Sequence, residues 1–216
     1  MRDTNQLRAI AIAFVFILGM MIHATNAGVV VVDPDDFPHG TDVSLQFPGV
    51  AVSLLDGPGA SGQPPVGTAI YAFETPIAST GSNAFAFLTR TGEFRPHFVH
   101  GLEDLMIEFD NPVSFVSVDF ITDDTSDPGI LEVYDVLGNL LEAVQTPGAV
   151  GFAGVEAALI DRPQNDIAFA VAAGVGSQAV YIDHIQYSAV PEPASLVLWA
   201  CGLGAILCLM RRMRQN

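Results

Sequence analysis

Hydrophobic and polar residues alternate along most of this chain in short runs, and the alternation has the two-residue period of β-strands. Leu105, Ile107 and Phe109 interleave with Met106 and Glu108, and Val116, Val118 and Phe120 with Phe115, Ser117 and Asp119. Val29 to Val32 is a β-branched run closed by Asp33-Pro34-Asp35-Asp36. Val43 to Phe47 and Val50 to Leu55 read as strands parted by Pro48-Gly49, and Ala69 to Phe73 and Ala84 to Leu88 continue the series. The clearest hairpin joins Leu131–Val136 to Leu140–Val144 through Gly138-Asn139, which supplies positive φ cheaply. Val155 to Ile160, Ile167 to Ala172 and Ala179 to Tyr187 complete the set. Asp56 to Gly67 is rich in glycine and proline and reads as a loop. Nothing between Gly28 and Val190 sustains a helical period with caps. Roughly ten short strands at about 8–12-residue spacing predict an all-β sandwich built as one domain.

The two ends break this pattern. Arg2 and Arg8 flank a polar start, Ala9 to Ile22 is almost wholly apolar, and Thr25-Asn26-Ala27 offers small residues to a signal peptidase. Residues 1–27 therefore read as a secretory signal helix cut between Ala27 and Gly28; an uncleaved anchor is the alternative. At the other end, Pro191-Glu192-Pro193 forces an extended segment. The uncharged run Ala194 to Met210 follows, about 25 Å long as a helix and at the lower edge of what spans a bilayer. Arg211, Arg212 and Arg214 then hold that end on the cytoplasmic side.

Val190-Pro191-Glu192-Pro193-Ala194-Ser195, a short membrane helix and a basic end together resemble the PEP-CTERM sorting tail of exported bacterial proteins. The resemblance covers residues 190–216 and implies recognition by an exosortase, a membrane-embedded cysteine transpeptidase, which would cut near Pro191–Pro193. It implies a chain handled by the general secretion machinery, anchored transiently in the inner membrane, and then passed to the cell envelope, the surface or the extracellular matrix. An ordinary tail anchor is the competing reading. Residues 28–189 are the ectodomain that this tail would deliver.

Composition narrows the partners of that ectodomain. All 24 acidic residues except Asp3 and Glu192 lie in it, against Arg90, Arg95 and Arg162, and the chain has no lysine. A field of that sign repels nucleic acid and anionic lipid. Divalent cations, cationic polymers and neutral glycans remain. Both cysteines, Cys201 and Cys208, sit in the terminal apolar run, which removes thiol chemistry from the ectodomain.

Catalytic signatures are missing: no Gly-x-Ser-x-Gly elbow, His-Glu-x-x-His pair or phosphate-binding glycine loop occurs. His97 and His100 are close in sequence but fall in a predicted loop, and the many carboxylates make any single acid pair uninformative about hydrolysis. Asp33, Asp35 and Asp36 form one oxygen-rich loop and Asp123-Asp124-Thr125-Ser126-Asp127 another, the donor chemistry that calcium prefers. The second loop fails the EF-hand pattern, with Gly129 one residue late and Tyr134 where the bidentate glutamate belongs. Tyr71, Tyr134, Tyr181 and Tyr187 lie in predicted strands and read as core. Trp199 lies in the terminal apolar run, so stacking platforms for polysaccharide are scarce.

Phe37-Pro38-His39-Gly40-Thr41, Phe47-Pro48-Gly49-Val50, Phe109-Asp110-Asn111-Pro112-Val113, Val133-Tyr134-Asp135 and the closing Tyr181-Ile182-Asp183-His184-Ile185 resemble jelly-roll, galactose-binding-like carbohydrate modules. That resemblance implies a jelly-roll-like sandwich and a structural calcium pairing Asp33, Asp35 or Asp36 with Asp183. The expectation is thus a non-catalytic structural or adhesive surface protein. A calcium-stabilised carbohydrate-binding module and a secreted hydrolase are the second and third readings, with extracellular polysaccharide as a candidate partner.

Overall fold

A computed structural model describes residues 28–56, 69–89, 91–122, 127–148 and 154–188. Among them lie twelve strands: β1 (Val29–Val32), β2 (Val50–Asp56), β3 (Ile70–Glu74), β4 (Asn83–Leu88), β5 (Phe94–Arg95), β6 (Glu103–Val113), β7 (Phe115–Thr122), β8 (Gly129–Tyr134), β9 (Leu140–Gln145), β10 (Val155–Asp161), β11 (Ile167–Gly174) and β12 (Val180–Ser188). Among the described residues the only helical piece is a 3-10 turn over Pro34–Asp36, and no helix is long and apolar enough to cross a membrane. The signal at 1–27 and the sorting tail at 190–216, with Pro191–Pro193 and Arg211, Arg212 and Arg214, lie outside the described residues.

Every strand pairing is antiparallel. A four-stranded sheet has the order β1-β12-β7-β10, a five-stranded sheet the order β2-β6-β11-β8-β9, and a small third sheet the order β3-β4-β5. From β9 onward the chain changes sheet at each strand, the winding of a β-sandwich. One apolar core joins the two larger sheets, taking Val52 and Leu54 from β2, Leu105, Ile107 and Phe109 from β6, Val116, Val118 and Phe120 from β7, and Leu131 and Val133 from β8. These are the alternate residues that the two-residue period assigns to one face.

Two strands change parity within their length. On β12 the inward set is Val180 and Ile182 before a bulge, then Ile185 and Tyr187 after it. On β11 it is Ile167 before an irregularity, then Ala170 and Ala172. An extra residue in one strand re-aims everything beyond it. In β12 the extra residue is His184, at φ +33°.

The chain departs from the expected pattern at Val43–Phe47, which is a turn and not a strand. The Asp42 carboxylate accepts from Ser44 N at 3.0 Å, and Gln46 N donates to Val43 O at 3.2 Å, closing the backbone locally. Val43 and Phe47 are buried while Leu45 is 81% exposed. The hairpin between β8 and β9 is as expected: Gly138 has φ +80°, and Asp135 Oδ1 accepts from Leu137 N and Asn139 N.

Gly129 marks a close approach between sheets. A Cβ there would lie 2.2 Å from Cγ of Phe120, a fully buried ring on the opposite sheet. Gly129→Ala must displace that ring, and overpacking of this kind costs about 2 kcal/mol. The midpoint of urea denaturation is expected to fall accordingly, with an unchanged slope.

Candidate functional site

Two predicted site residues, Asp33 and Asp183, meet a third acid, Asp119, on one side of the four-stranded sheet. Asp183 and Asp119 face each other as direct partners on β12 and β7, on the face away from the core, and Asp33 follows β1 beside them. Like charges placed opposite one another destabilise a sheet unless something lies between them. Here it is the β3–β4 connection, whose Ser79 and Thr80 reach over the acids.

Asp183, 0% exposed, is the centre of this group. Its Oδ2 accepts from Ser79 N at 2.9 Å, Ser79 Oγ at 3.0 Å, Thr80 N at 3.1 Å and Thr80 Oγ1 at 3.4 Å. Its Oδ1 accepts from His184 N at 2.8 Å, a bond that the bulged backbone presents. Ser79 Oγ also lies 3.2 Å from Asp119 Oδ2, so its single proton serves both acids. Asp33 Oδ2 accepts from Thr80 Oγ1 at 3.1 Å and faces His184 Nδ1 at 3.4 Å. Its Oδ1 caps the 3-10 turn through Asp35 N at 2.9 Å.

Asp35 holds the far end of the same connection. Its Oδ1 accepts from Ser82 N and Asn83 N, both at 2.7 Å, while its buried Oδ2 has no hydrogen-bond partner. Gly81, at φ +43°, lies against that carboxylate, and a Cβ there would come within 2.1 Å of Oδ2. Asp36 stands apart: it is exposed.

Calcium would need oxygens converging with their lone pairs free. In this arrangement the carboxylates are turned to N–H and O–H groups instead. Among the described residues no group of three or more His, Cys, Asp and Glu side chains is placed to hold a metal ion. As built, Asp33, Asp35 and Asp183 form a hydrogen-bonded clasp and do not fit a cation cage. Of the other acidic loop only Asp127, which is buried, falls within the described residues.

Electrostatics follow from burial. Desolvation pushes the carboxyl of Asp183 above its ordinary value, with Asp33 adding repulsion, and outweighs the donors of Thr80, His184 and Ser79. Asp119 is raised for the same first reason, opposed by Ser79 and His184. The two histidines close in sequence go to different partners: the His97 ring packs edge-on against Tyr181 at 4.6 Å, and His100 Nδ1 lies 3.0 Å from Asp104 Oδ1.

The tyrosines divide. Tyr187 is core and donates to Pro48 O. Tyr134 is not core: on β8, Leu131 and Val133 point inward, so Glu132 and Tyr134 point outward. Tyr134 stacks on Phe169 of β11, with centroids 4.9 Å apart and planes 5° apart, and its hydroxyl donates to Glu132. The parity of Glu132 and Tyr134 against Leu131 and Val133 was the available signal for this outward pair. The position of Phe169 depends on the irregularity in β11, which alternation alone does not reveal.

Removing the Asp183 carboxylate leaves buried donors unmet, each worth about 1–3 kcal/mol. Asp183→Ala is therefore expected to lose at least about 2 kcal/mol and to speed amide exchange at Ser79 and Thr80. Calcium at millimolar concentration is expected to leave the melting temperature unchanged, whereas a site filled at a hundredfold excess over its Kd would add about 2.7 kcal/mol.

The pH response has a definite sign. Asp119 and Asp183 have folded-state pKa values above the ordinary 3.8, so the folded protein binds more protons within that interval. Their contribution is lost as pH rises through it and is level above it. Asp135 and Asp166, held low by Asn139 and Arg162, act only below 3.8. Melting temperature should thus rise as pH falls through the interval between these raised values and 3.8, with a shallower rise in Asp119→Asn.

No family model and no curated protein matches this chain. Among solved structures it is similar to the K2 cleaved adhesin domain of Lys-gingipain, at 11% identity and TM-score 0.45 over 76% of this chain and 99% of that one. It is also similar to a family 35 carbohydrate-binding module from Clostridium thermocellum, at 11% identity and TM-score 0.42 over 76% and 100%. A third is TmCBM61 in complex with β-1,4-galactotriose, at 13% identity and TM-score 0.39 over 63% and 88%. At these values neither ligand nor site carries over to this chain.

Proposed function

We propose that this chain is an exported, acidic β-sandwich protein that exosortase sorts through its PEP-CTERM-like tail to the cell envelope or extracellular matrix. Its role there is structural or adhesive and not catalytic. The address rests on the sequence: an apolar leader before Gly28, and Pro191-Glu192-Pro193 ahead of an uncharged run and Arg211, Arg212 and Arg214. The carrying observation for the non-catalytic role is the use made of Asp33, Asp119 and Asp183. They are buried or half-buried and accept hydrogen bonds from Ser79 and Thr80. General acid–base work needs a carboxyl within reach of a substrate proton. Here the carboxyls fasten a loop, so the arrangement serves rigidity.

The test is the intact mass of the protein from its native host, in membrane and released fractions. The expected mass lacks the first 27 residues and everything beyond the Pro-Glu-Pro region, and any added mass identifies the acceptor. A mass retaining Ala194–Asn216 would reduce the tail to a plain anchor. Deleting Pro191–Pro193 is expected to trap the protein in the membrane, and unchanged release would count against sorting. Hydrolytic activity abolished by neutralising one acid pair would overturn the non-catalytic reading.

A further inference from the structure

The outward face of the five-stranded sheet carries a second arrangement, unconnected with the acidic clasp. Cross-strand register places Ala51, Glu108, Phe169, Tyr134 and Leu140 in one row across all five strands. The next row is Ser53, Met106, Val171, Glu132 and Ala143. On the central strand Val171 is closed over by its neighbours, only 4% exposed, while Phe169 is half-buried. Longer side chains stand on either side of it, Met106 and Glu108 on β6 and Glu132 and Tyr134 on β8. The result is a shallow trough with a stacked pair of rings at one end and a glutamate on each side, Glu108 and Glu132.

The charge of the trough is one-sided. Glu108 is exposed on one wall, and Glu132 on the other holds the Tyr134 hydroxyl. The two described arginines are engaged elsewhere, Arg95 with Glu103 and Arg162 with Asp166 and Glu142. A face that joins aromatic rings to carboxylates, with no arginine engaged on it among the described residues, complements a positively charged ligand. Ring faces attract ammonium groups, and carboxylates accept hydrogen bonds from ammonium and hydroxyl groups alike.

We propose that this trough binds an amino-sugar polymer whose amines are free and protonated, such as a deacetylated glucosamine chain. This inference rests on the reading above, that the domain works in a surface polysaccharide layer, and names its partner. The apolar C–H faces of the sugar lie on Met106 and the ring pair. The ammonium groups meet Glu108 and Glu132, and the hydroxyls share the same acceptors.

The experiment is calorimetric titration of the full-length protein in neutral detergent with glucosamine hexamer, N-acetylglucosamine hexamer and oligolysine of equal charge. Binding of the glucosamine hexamer alone is the expected result. Glu108→Gln and Phe169→Ala should each weaken it about tenfold. Glu93→Gln, which removes the same charge from the exposed turn between β4 and β5, should leave it unchanged. Glu108 is exposed, so its variant keeps the test valid if Phe169→Ala fails to fold. Equal binding of the acetylated hexamer would overturn the charge requirement. Equal binding of oligolysine would overturn the sugar, and an equal loss in Glu93→Gln would reduce the effect to overall charge. A tail retained in the intact mass would defeat the sorting reading. Correctly processed protein that ignores the hexamer would defeat this site alone.

Discussion

One buried carboxylate organises the region where the β3–β4 connection crosses the four-stranded sheet. Asp183 lies in the last strand, opposite another acid, at a point where the backbone bulges. Left alone, such a group would be an expensive thing to bury. The β3–β4 connection meets it with two backbone amides and two hydroxyls, and the bulge turns His184 N towards its other oxygen. The same loop is fixed at its far end by Asp35 and by a glycine too close to that acid to carry a side chain. The small third sheet is thereby tied to the four-stranded sheet through polar groups, in addition to the apolar packing of Ile70, Ala72, Phe85 and Phe87 in the shared core. Because burial raises Asp183 and Asp119, protonation of this junction favours the folded state.

Much of the architecture was readable from residue order because antiparallel strands with one buried face write their orientation in alternate positions. β6, β7 and β8 illustrate this directly. Val43–Phe47 shows where the rule fails. Alternating Val43, Leu45 and Phe47 look like a strand, yet Asp42 and Ser44 supply local hydrogen bonds that turn the backbone and expose Leu45. The short β5 strand, Phe94–Arg95, carries too few residues to show a period. In β12 the break was in plain view, since Val180 and Ile182 share a parity that Ile185 and Tyr187 do not. A bulge is the only way for all four to face one core.

The site was legible in part. Asp33, Asp35 and Asp183 were chosen from the sequence as oxygen donors, and they do gather around one loop. Asp36 stands outside it, and Asp119 was read only as the polar half of an alternating strand. What the sequence could not show was the loop itself. Ser79-Thr80-Gly81-Ser82 is unremarkable as a string, but in space it delivers protons to carboxylates that would otherwise need a cation. Donors remote in sequence change the chemistry of an acidic cluster, and only the fold brings them there.

The pairing of β1 with β12 has a consequence for when the domain can form. Val29 lies beside Ser188, and Asp33 beside His184, so the first and last described segments complete each other. β1 sits at the edge of its sheet with no other neighbour. Contacts that span nearly the whole domain make folding slow and late. A chain made amino end first holds an unpartnered strand of four valines until β12 has been made. The arrival of β12 is therefore the event that closes this sheet.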